Sequence, residues 1–344
     1  EVGEFIVPIV PDEARTFGMD ALFKVAGIYS PDGQRYTPVD AEALNTYREA
    51  IDGQILQEGI CEAGAIASFI AAGTAYATFA VPTIPFYIFY SMFGFQRVGD
   101  MIWASADMMA RGFLLGGTAG RTTLNGEGLQ HQDGHSPILA STVPSVRTYD
   151  PAFAWELAVL VRFGIQRMFV EDHDELFYLM MYNEALPMPA RPDHVDLDDG
   201  VVRGGYLLEP AAGDGPRVNL LGSGTILFEV MQAANSLRDE GYAVAVYSIT
   251  SYVELARDAE RAEQEDAVDT AWLDTIFPET DVPTVAATDY VRALPRMIAS
   301  WINGPFTALG TDGFGKSERR SDLRAHFKVD AASIADAARR LASS

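Results

Sequence analysis

The order of apolar and polar positions divides the chain into alternating strand-like and helix-like runs. Phe5-Ile6-Val7-Pro8-Ile9-Val10 reads as an extended entry segment. Ala41 to Tyr47 reads as helical, and Ile60 to Ala72 carries small and apolar residues at helical spacing. Thr83 to Tyr90, rich in Ile, Phe and Tyr, reads as a strand with proline at its start. Asp100 to Phe113 predicts a helix. Pro151 heads another that runs to Phe169, with Phe153, Leu157, Leu160, Val161 and Ile165 on or near one face. Leu176 to Tyr182 reads as a buried strand.

Residues 186 to 217 break this rhythm. They hold Pro187, Pro189, Pro192, Pro210 and Pro216, with Asp193, Asp196, Asp198 and Asp199, which is linker or surface-loop composition. A second unit then opens. Strand Val218–Leu221, turn Gly222-Ser223-Gly224, helix Ile226–Leu237, Gly241 and strand Ala243–Ile249 have βαβ punctuation, which implies a parallel sheet. Val285-Ala286-Ala287 fits a further strand, and Val329 to Leu341 a closing helix. The expected fold class is α/β in two domains, 1–195 and 218–344, joined by a linker over 196–217.

Composition narrows the class. Of 344 residues, 48% are hydrophobic and 21% charged, as in ordinary globular proteins, which excludes a disordered tail, a collagen-like fibre or a coiled coil. Lys and Arg number 25 against 48 Asp and Glu, a net charge of −23. Such a surface repels phosphate backbones and suits a basic protein partner. With Cys61 as the single cysteine there is no intrachain disulfide framework, so a reducing, cytoplasmic setting is expected. The chain starts at Glu1 with no methionine, basic n-region or apolar h-region, and reads as a processed chain or a piece of a longer one. No charge lies between Glu62 and Arg97. Pro82 and Pro85 break that stretch and Gly64, Gly73, Ser68 and Thr74 dilute it, so a buried helix followed by a buried strand fits better than a membrane span.

Several residues could carry chemistry. Gly222-Ser223-Gly224 after a strand invites a dinucleotide reading, but Leu227 stands where the third glycine would fall, and a tight strand-to-helix turn accounts for the pattern. His131 and His135, with Glu127 and Asp133 nearby, would have metal-ligand spacing on a helix. Gly126, Gly128 and Gly134 make this a loop instead, and loops carry sites. No metal is assigned. Asp172-His173-Asp174-Glu175 reads as a solvated turn. Cys61 sits beside Glu62 in an apolar run, which favours a buried thiol over a nucleophile. Glu62 itself heads a long uncharged segment. Such a carboxylate must be protonated, paired or hydrogen-bonded, or else sit at a helix N-terminus favoured by the dipole.

Longer runs carry a resemblance. Gly59-Ile60-Cys61-Glu62 and Phe86-Tyr87-Ile88-Phe89-Tyr90-Ser91-Met92-Phe93-Gly94-Phe95 resemble the pyrimidine-binding domain of transketolase-type thiamine-diphosphate enzymes. The run from Gly120 through Ser136 is longer and more specific. Together with Pro11 to Met19 and Leu309 to Gly315, it resembles the homodimeric bacterial type of pyruvate dehydrogenase E1 component over nearly the whole chain. The resemblance implies the middle (pyrimidine-binding) and C-terminal domains only. It implies thiamine diphosphate as cofactor, with Mg²⁺ and the diphosphate held by a domain absent from this chain. Gly213-Asp214-Gly215 imitates that domain's signature, but lies in the linker with no Asn-Asn pair anywhere.

The resemblance assigns roles residue by residue. Glu62 activates the cofactor through the pyrimidine N1′, Ile60 props its bend, and Tyr90 and Phe93 line or stack on the pyrimidine. His131 handles the substrate carboxylate or a proton, and Asp12, Glu13 and Glu127 are further site candidates. It implies pyruvate as substrate, a lipoyl acyltransferase as partner, and either a homodimer or a second chain carrying the diphosphate domain. A β-like subunit of a split enzyme for another 2-oxo acid, a transketolase-like enzyme and a non-catalytic assembly domain remain alternatives. Met108 and Met109 stand where the family has amides, Lys316 where it has arginine, and Ala262 to Asp281 is unlike the family.

Overall fold

The structure is a computed structural model describing residues 2–39, 47–192, 197–264 and 270–343. The helix expected over Ala41–Tyr47 lies, but for Tyr47, outside those residues. The chain divides into two compact units: Glu1–Gly117 with Val143–Val146 and Gly164–Tyr178, and Thr118–Thr142 with Arg147–Phe163 and Leu179–Ser344.

The first eight strands are β1 Ile6–Val10, β2 Ile28–Tyr29, β3 Glu49–Ala50, β4 Leu56–Gln57, β5 Ile84–Tyr90, β6 Gly112–Gly117, β7 Val146–Tyr149 and β8 Leu176–Met180. Six of them form one sheet in the order β4-β1-β5-β6-β8-β7, while β2 and β3 pair separately. β1 runs parallel to β4 and β5, and β5 parallel to β6. Aromatic side chains fill this sheet's core, with Phe86 stacked on Phe113 at 4.5 Å and Tyr87 against Phe89 at 4.6 Å.

The helix Glu62–Gly73 presents Glu62, Ala65, Ile66, Phe69 and Gly73 as one buried stripe. Cys61 is its N-cap, and the thiol accepts a hydrogen bond from the Gly64 amide at 3.4 Å. The thiol is therefore exposed rather than buried, because the cap lies off the stripe. The helix expected over Asp100–Phe113 is displaced: it spans Phe95–Asp107, and Gly112 and Phe113 open β6. Phe95, Val98, Ile102 and Ser105 set the buried face, so the period begins before Asp100. The acidic turn at 172–175 does more than face water. Asp172 and Asp174 bind the buried Arg111 guanidinium at 2.8 and 2.9 Å, and the Met168 carbonyl accepts from it at 2.9 Å.

The second sheet comprises β9 Tyr206–Glu209, β10 Arg217–Gly222, β11 Ala243–Ser248, β12 Thr284–Ala287 and β13 Phe306–Leu309, in the order β13-β12-β10-β11-β9. All neighbours are parallel except β9 against β11. Helix Leu197–Arg203 and β9 fall within the stretch expected to be a loop, which is folded because Leu197, Val201 and Tyr206 are buried. Helices Ile226–Asp239 and Ala331–Ala342 cover one face. Leu227, Val230, Ala234, Ile334 and Ala338 meet Val218, Leu220, Val244, Val246 and Val285 there. Each Val, Leu or Ile among them contributes about 1.5–3 kcal/mol of burial, and each Ala less. The strand order turns back between β10 and β12, the position at which open α/β sheets commonly bind ligands. Among the described residues no helix is long and apolar enough to cross a membrane.

Candidate functional site

In the first unit, segments following β1, β4 and β5 bring together a carboxylate, a cation and aromatic faces. Glu62 occupies the first turn of its helix and is 9% exposed. The Arg97 Nη1 donates to Glu62 Oε1 at 2.9 Å. The same guanidinium lies 3.8 Å from the centre of the Phe93 ring. Phe93 meets Tyr90 edge-on at 6.0 Å, and Tyr90 meets Phe17 at 5.1 Å. The Tyr90 hydroxyl donates to Asp12 Oδ2 at 2.9 Å, while Asp12 Oδ1 accepts the Glu13 amide at 2.7 Å. Glu62, Phe93, Tyr90 and Asp12 thus form one chain of contacts through Arg97. Both readings of Glu62 hold: it is paired, and it sits where a helix dipole favours an anion. Behind it the Tyr87 hydroxyl donates to the Glu62 carbonyl at 3.4 Å, and burial pushes that phenol's pKa up.

Glu13 is exposed, and Ile60 is 84% exposed in the turn before the helix. Arg97 was not anticipated from sequence. Its signal was present, since it is the first charge after the uncharged stretch that Glu62 begins.

Glu127 and His131 lie in the second unit, on a loop with buried ends and an exposed tip. Leu124 is 0% and Gln132 2% exposed, whereas Asn125, Gly126, Gly128, Leu129 and Gln130 face solvent. His131 ends a 3-10 turn, its amide donating to the Gly128 carbonyl at 3.0 Å. Glu127 Oε1 accepts from the Asn183 amide nitrogen at 3.2 Å. Asp133 is structural: its carboxylate accepts the His135 and Ser136 amides at 3.1 and 3.0 Å and the Ser136 hydroxyl. His131 and His135 therefore flank a loop-to-helix junction and do not share a helix face.

Gly222-Ser223-Gly224 is a tight turn crowded by protein. Gly224 has φ +50°, and a Cβ there would strike the Tyr182 hydroxyl and Asp150 Oδ1. Asp150 is 4% exposed and accepts the Tyr182 hydroxyl. Burial pushes its pKa up to about 7, with Asp289 and Glu156 adding to the rise and Tyr182 and Ser223 opposing it. Protein atoms and a buried acid fill the place a pyrophosphate would take. Glu156 is fully buried, yet it accepts the Ala152 and Phe153 amides at 2.6 and 3.0 Å and the Tyr206 and Ser248 hydroxyls at 2.7 Å each. Neither acid was singled out from sequence, where nothing distinguishes them from surface carboxylates.

Comparison with known proteins places this geometry in a family. Residues 1–189 match the family described as pyruvate dehydrogenase E1 component middle domain, and residues 204–330 match the transketolase-like TK C-terminal domain. The chain is 52% identical over 339 residues to the pyruvate dehydrogenase E1 component of Corynebacterium glutamicum, covering 96% of this chain and 37% of that protein. It is 49% identical over 340 residues to that of Escherichia coli, covering 97% of this chain and 38% of the relative. The chain thus spans less than two fifths of the length of these relatives. A solved transketolase from Campylobacter jejuni superposes with a TM-score of 0.70 at 16% identity, over 97% of this chain and 43% of that one, which shows a shared fold. Matched over more than half its length by the first of these families, the chain belongs to the pyruvate dehydrogenase E1 component family.

Proposed function

We propose that this chain supplies the pyrimidine-side and substrate-side residues of a thiamine-diphosphate-dependent pyruvate dehydrogenase E1 component. The reaction is oxidative decarboxylation of pyruvate with transfer of the acetyl group to a lipoyl group. The observation that carries this reading is Glu62, a carboxylate withdrawn from water and held by a flat cation that also lies on the face of Phe93. N–H donation to a carboxylate and stacking on an aromatic face are the two contacts an aminopyrimidine needs, so the residues fit the group. Arg97 is half exposed, so water would solvate its guanidinium if a ligand took its place on Glu62.

Thiamine diphosphate supplies the electron sink for the carbanion left by loss of CO₂. In this reading Glu62 holds a proton against the pyrimidine N1′, and Phe93 and Tyr90 offer it aromatic faces. The hydrogen bond from Tyr90 to Asp12 fixes the orientation of the Tyr90 ring. Ile60 is the apolar prop and Asp12 and Glu13 supply polarity next to Tyr90, while His131 receives the substrate carboxylate or a proton and Glu127 adds a polar group on the same loop. Residues 1–195 serve as the pyrimidine-binding domain and 218–344 as the transketolase C-terminal-like domain. Mg²⁺ and the diphosphate belong to another domain. A second copy or a chain bearing that domain, and a lipoyl acyltransferase, are the partners, in the cytoplasm.

Release of CO₂ from pyruvate with thiamine diphosphate and Mg²⁺ tests the proposal, measured on the chain alone and joined to a diphosphate-binding part. Activity in the joined form, lost in Glu62→Gln, is the expected result. No activity in an assembled mixture, or full activity in Glu62→Gln, overturns it.

A further inference from the structure

The geometry points to Asp289 as the positioning residue of the loop that presents Glu127 and His131. Asp289 follows β12, far along the chain from that loop, and is fully buried. Its Oδ1 accepts both the Thr122 amide at 2.8 Å and the Thr122 hydroxyl at 2.7 Å. Its Oδ2 accepts the Thr123 hydroxyl at 2.6 Å, and Thr123 also meets the Thr225 hydroxyl at 2.7 Å. Thr122 and Thr123 are themselves fully buried. The approach is so close that Gly120, at φ +82°, leaves no room for a Cβ beside the Asp289 carboxylate.

Neighbouring residues of the C-terminal half close the rest of the clasp. The Arg320 guanidinium donates to the Thr123 carbonyl, and the Arg121 guanidinium donates to the Thr311 carbonyl. The Thr311 hydroxyl in turn donates to the Asp289 carbonyl at 2.8 Å. Beyond the tip, the Val291 amide donates to the Gly134 carbonyl at 2.8 Å. At the tip itself, the Gly126 amide donates to the Glu318 carbonyl at 3.1 Å. The side-chain and amide bonds of Thr122 and the hydroxyl of Thr123 converge on one carboxyl group, while the residues the loop presents lie in its more exposed stretch. Three hydrogen bonds on one buried carboxyl group fix the Thr122–Thr123 segment, and none of those donors has water as an alternative partner. Asp289 acts on that stretch through Thr122 and Thr123.

The catalytic consequence rests on the function proposed above, but the structural half is tested without it. Amide hydrogen exchange on this chain compares wild type with Asp289→Ala, Asp289→Asn and Thr123→Val. Thr123→Val is nearly isosteric and guards against an Asp289→Ala chain that fails to fold. Exchange over residues 120–134 rises about tenfold or more in Asp289→Ala and measurably in Thr123→Val, with β10 and β11 unchanged. Asp289→Asn keeps one carbonyl acceptor and restores part of the protection. In the enzyme joined to its diphosphate-binding part, kcat for pyruvate falls about tenfold or more in Asp289→Ala, while KM for thiamine diphosphate stays constant. Unchanged exchange over 120–134 in both variants overturns the clasp, and so does exchange raised across the whole second unit. A loosened loop with unchanged kcat overturns the catalytic role. A wild-type enzyme that releases no CO₂ refutes the proposed reaction instead, and the exchange data then decide the clasp alone.

Discussion

Glu62 and Arg97, the two charges that bound a long uncharged stretch, meet at 2.9 Å, and the cation's face rests on Phe93. The pair is asymmetric: the Glu62 side chain is 11% exposed and that of Arg97 49%. Losing the cation therefore strands a largely buried anion, whereas losing the anion returns a cation to water.

Arg97→Leu is accordingly expected to cost about 1–2 kcal/mol in urea unfolding, the upper end reflecting the buried partner. Glu62→Gln keeps an acceptor for Arg97 and costs less than about 1 kcal/mol. Under the proposed function Glu62→Gln nonetheless removes about a hundredfold or more of the decarboxylation rate. Equal losses of stability in the two variants would contradict the asymmetry.

Asp150 predicts a pH dependence of stability. Burial raises its folded pKa to about 7 from 3.8. Between those values the folded chain keeps a proton that the unfolded chain has released, so stability falls as pH rises through this window and levels off above it. Asp150→Asn has no such proton to lose. Its melting temperature should match wild type near the acid end of the window and exceed it at pH 8, by up to a few kcal/mol in stability. A constant difference across the range would rule out this assignment.

Glu156 satisfies two amides and two hydroxyls at once. Glu156→Ala leaves those donors buried without an acceptor and opens a cavity, costing about 3–5 kcal/mol. Glu156→Gln retains the carbonyl oxygen and should cost less than half as much. Chemical denaturation of both variants checks the order.

Cys61 is an exposed N-cap. Cys61→Ser replaces a weak sulfur acceptor at 3.4 Å with a stronger oxygen one and should stabilise by about 0.5–1 kcal/mol. An aromatic disulfide reagent should titrate one thiol per folded chain without denaturant.

Periodicity made the helix at 62–73 legible because it buries one regular stripe, and turn glycines between continuously apolar strands marked the βαβ unit from Arg217 to Ser248. Periodicity misplaced the helix at 95–107, since Phe95 and Val98 fall between the strand expected to end at Tyr90 and the helix expected to begin at Asp100. It also missed the helix at 197–203 and β9, because prolines and aspartates mark a surface loop and a short folded segment alike. Glu62, Tyr90, Phe93 and Asp12 could be named from motif resemblance, and the structure joins them. Their linking cation shows in the sequence only as the charge that ends the uncharged stretch, and the carboxylate it meets is set by tertiary folding. Tertiary folding also sets the burial of Asp150, Glu156 and Asp289, which leaves no local trace.

The loop from 118 to 142 precedes β7 and β8 in sequence, yet it packs as part of the second unit. The matched families meet between residues 189 and 204. Severing the chain at that border would not release two independent folding modules. It would strip the Thr122–Thr123 segment of its carboxylate acceptor and the Glu156 carboxylate of its Tyr206 and Ser248 donors. Complementation by two such fragments should therefore be cooperative, each refolding only in the other's presence.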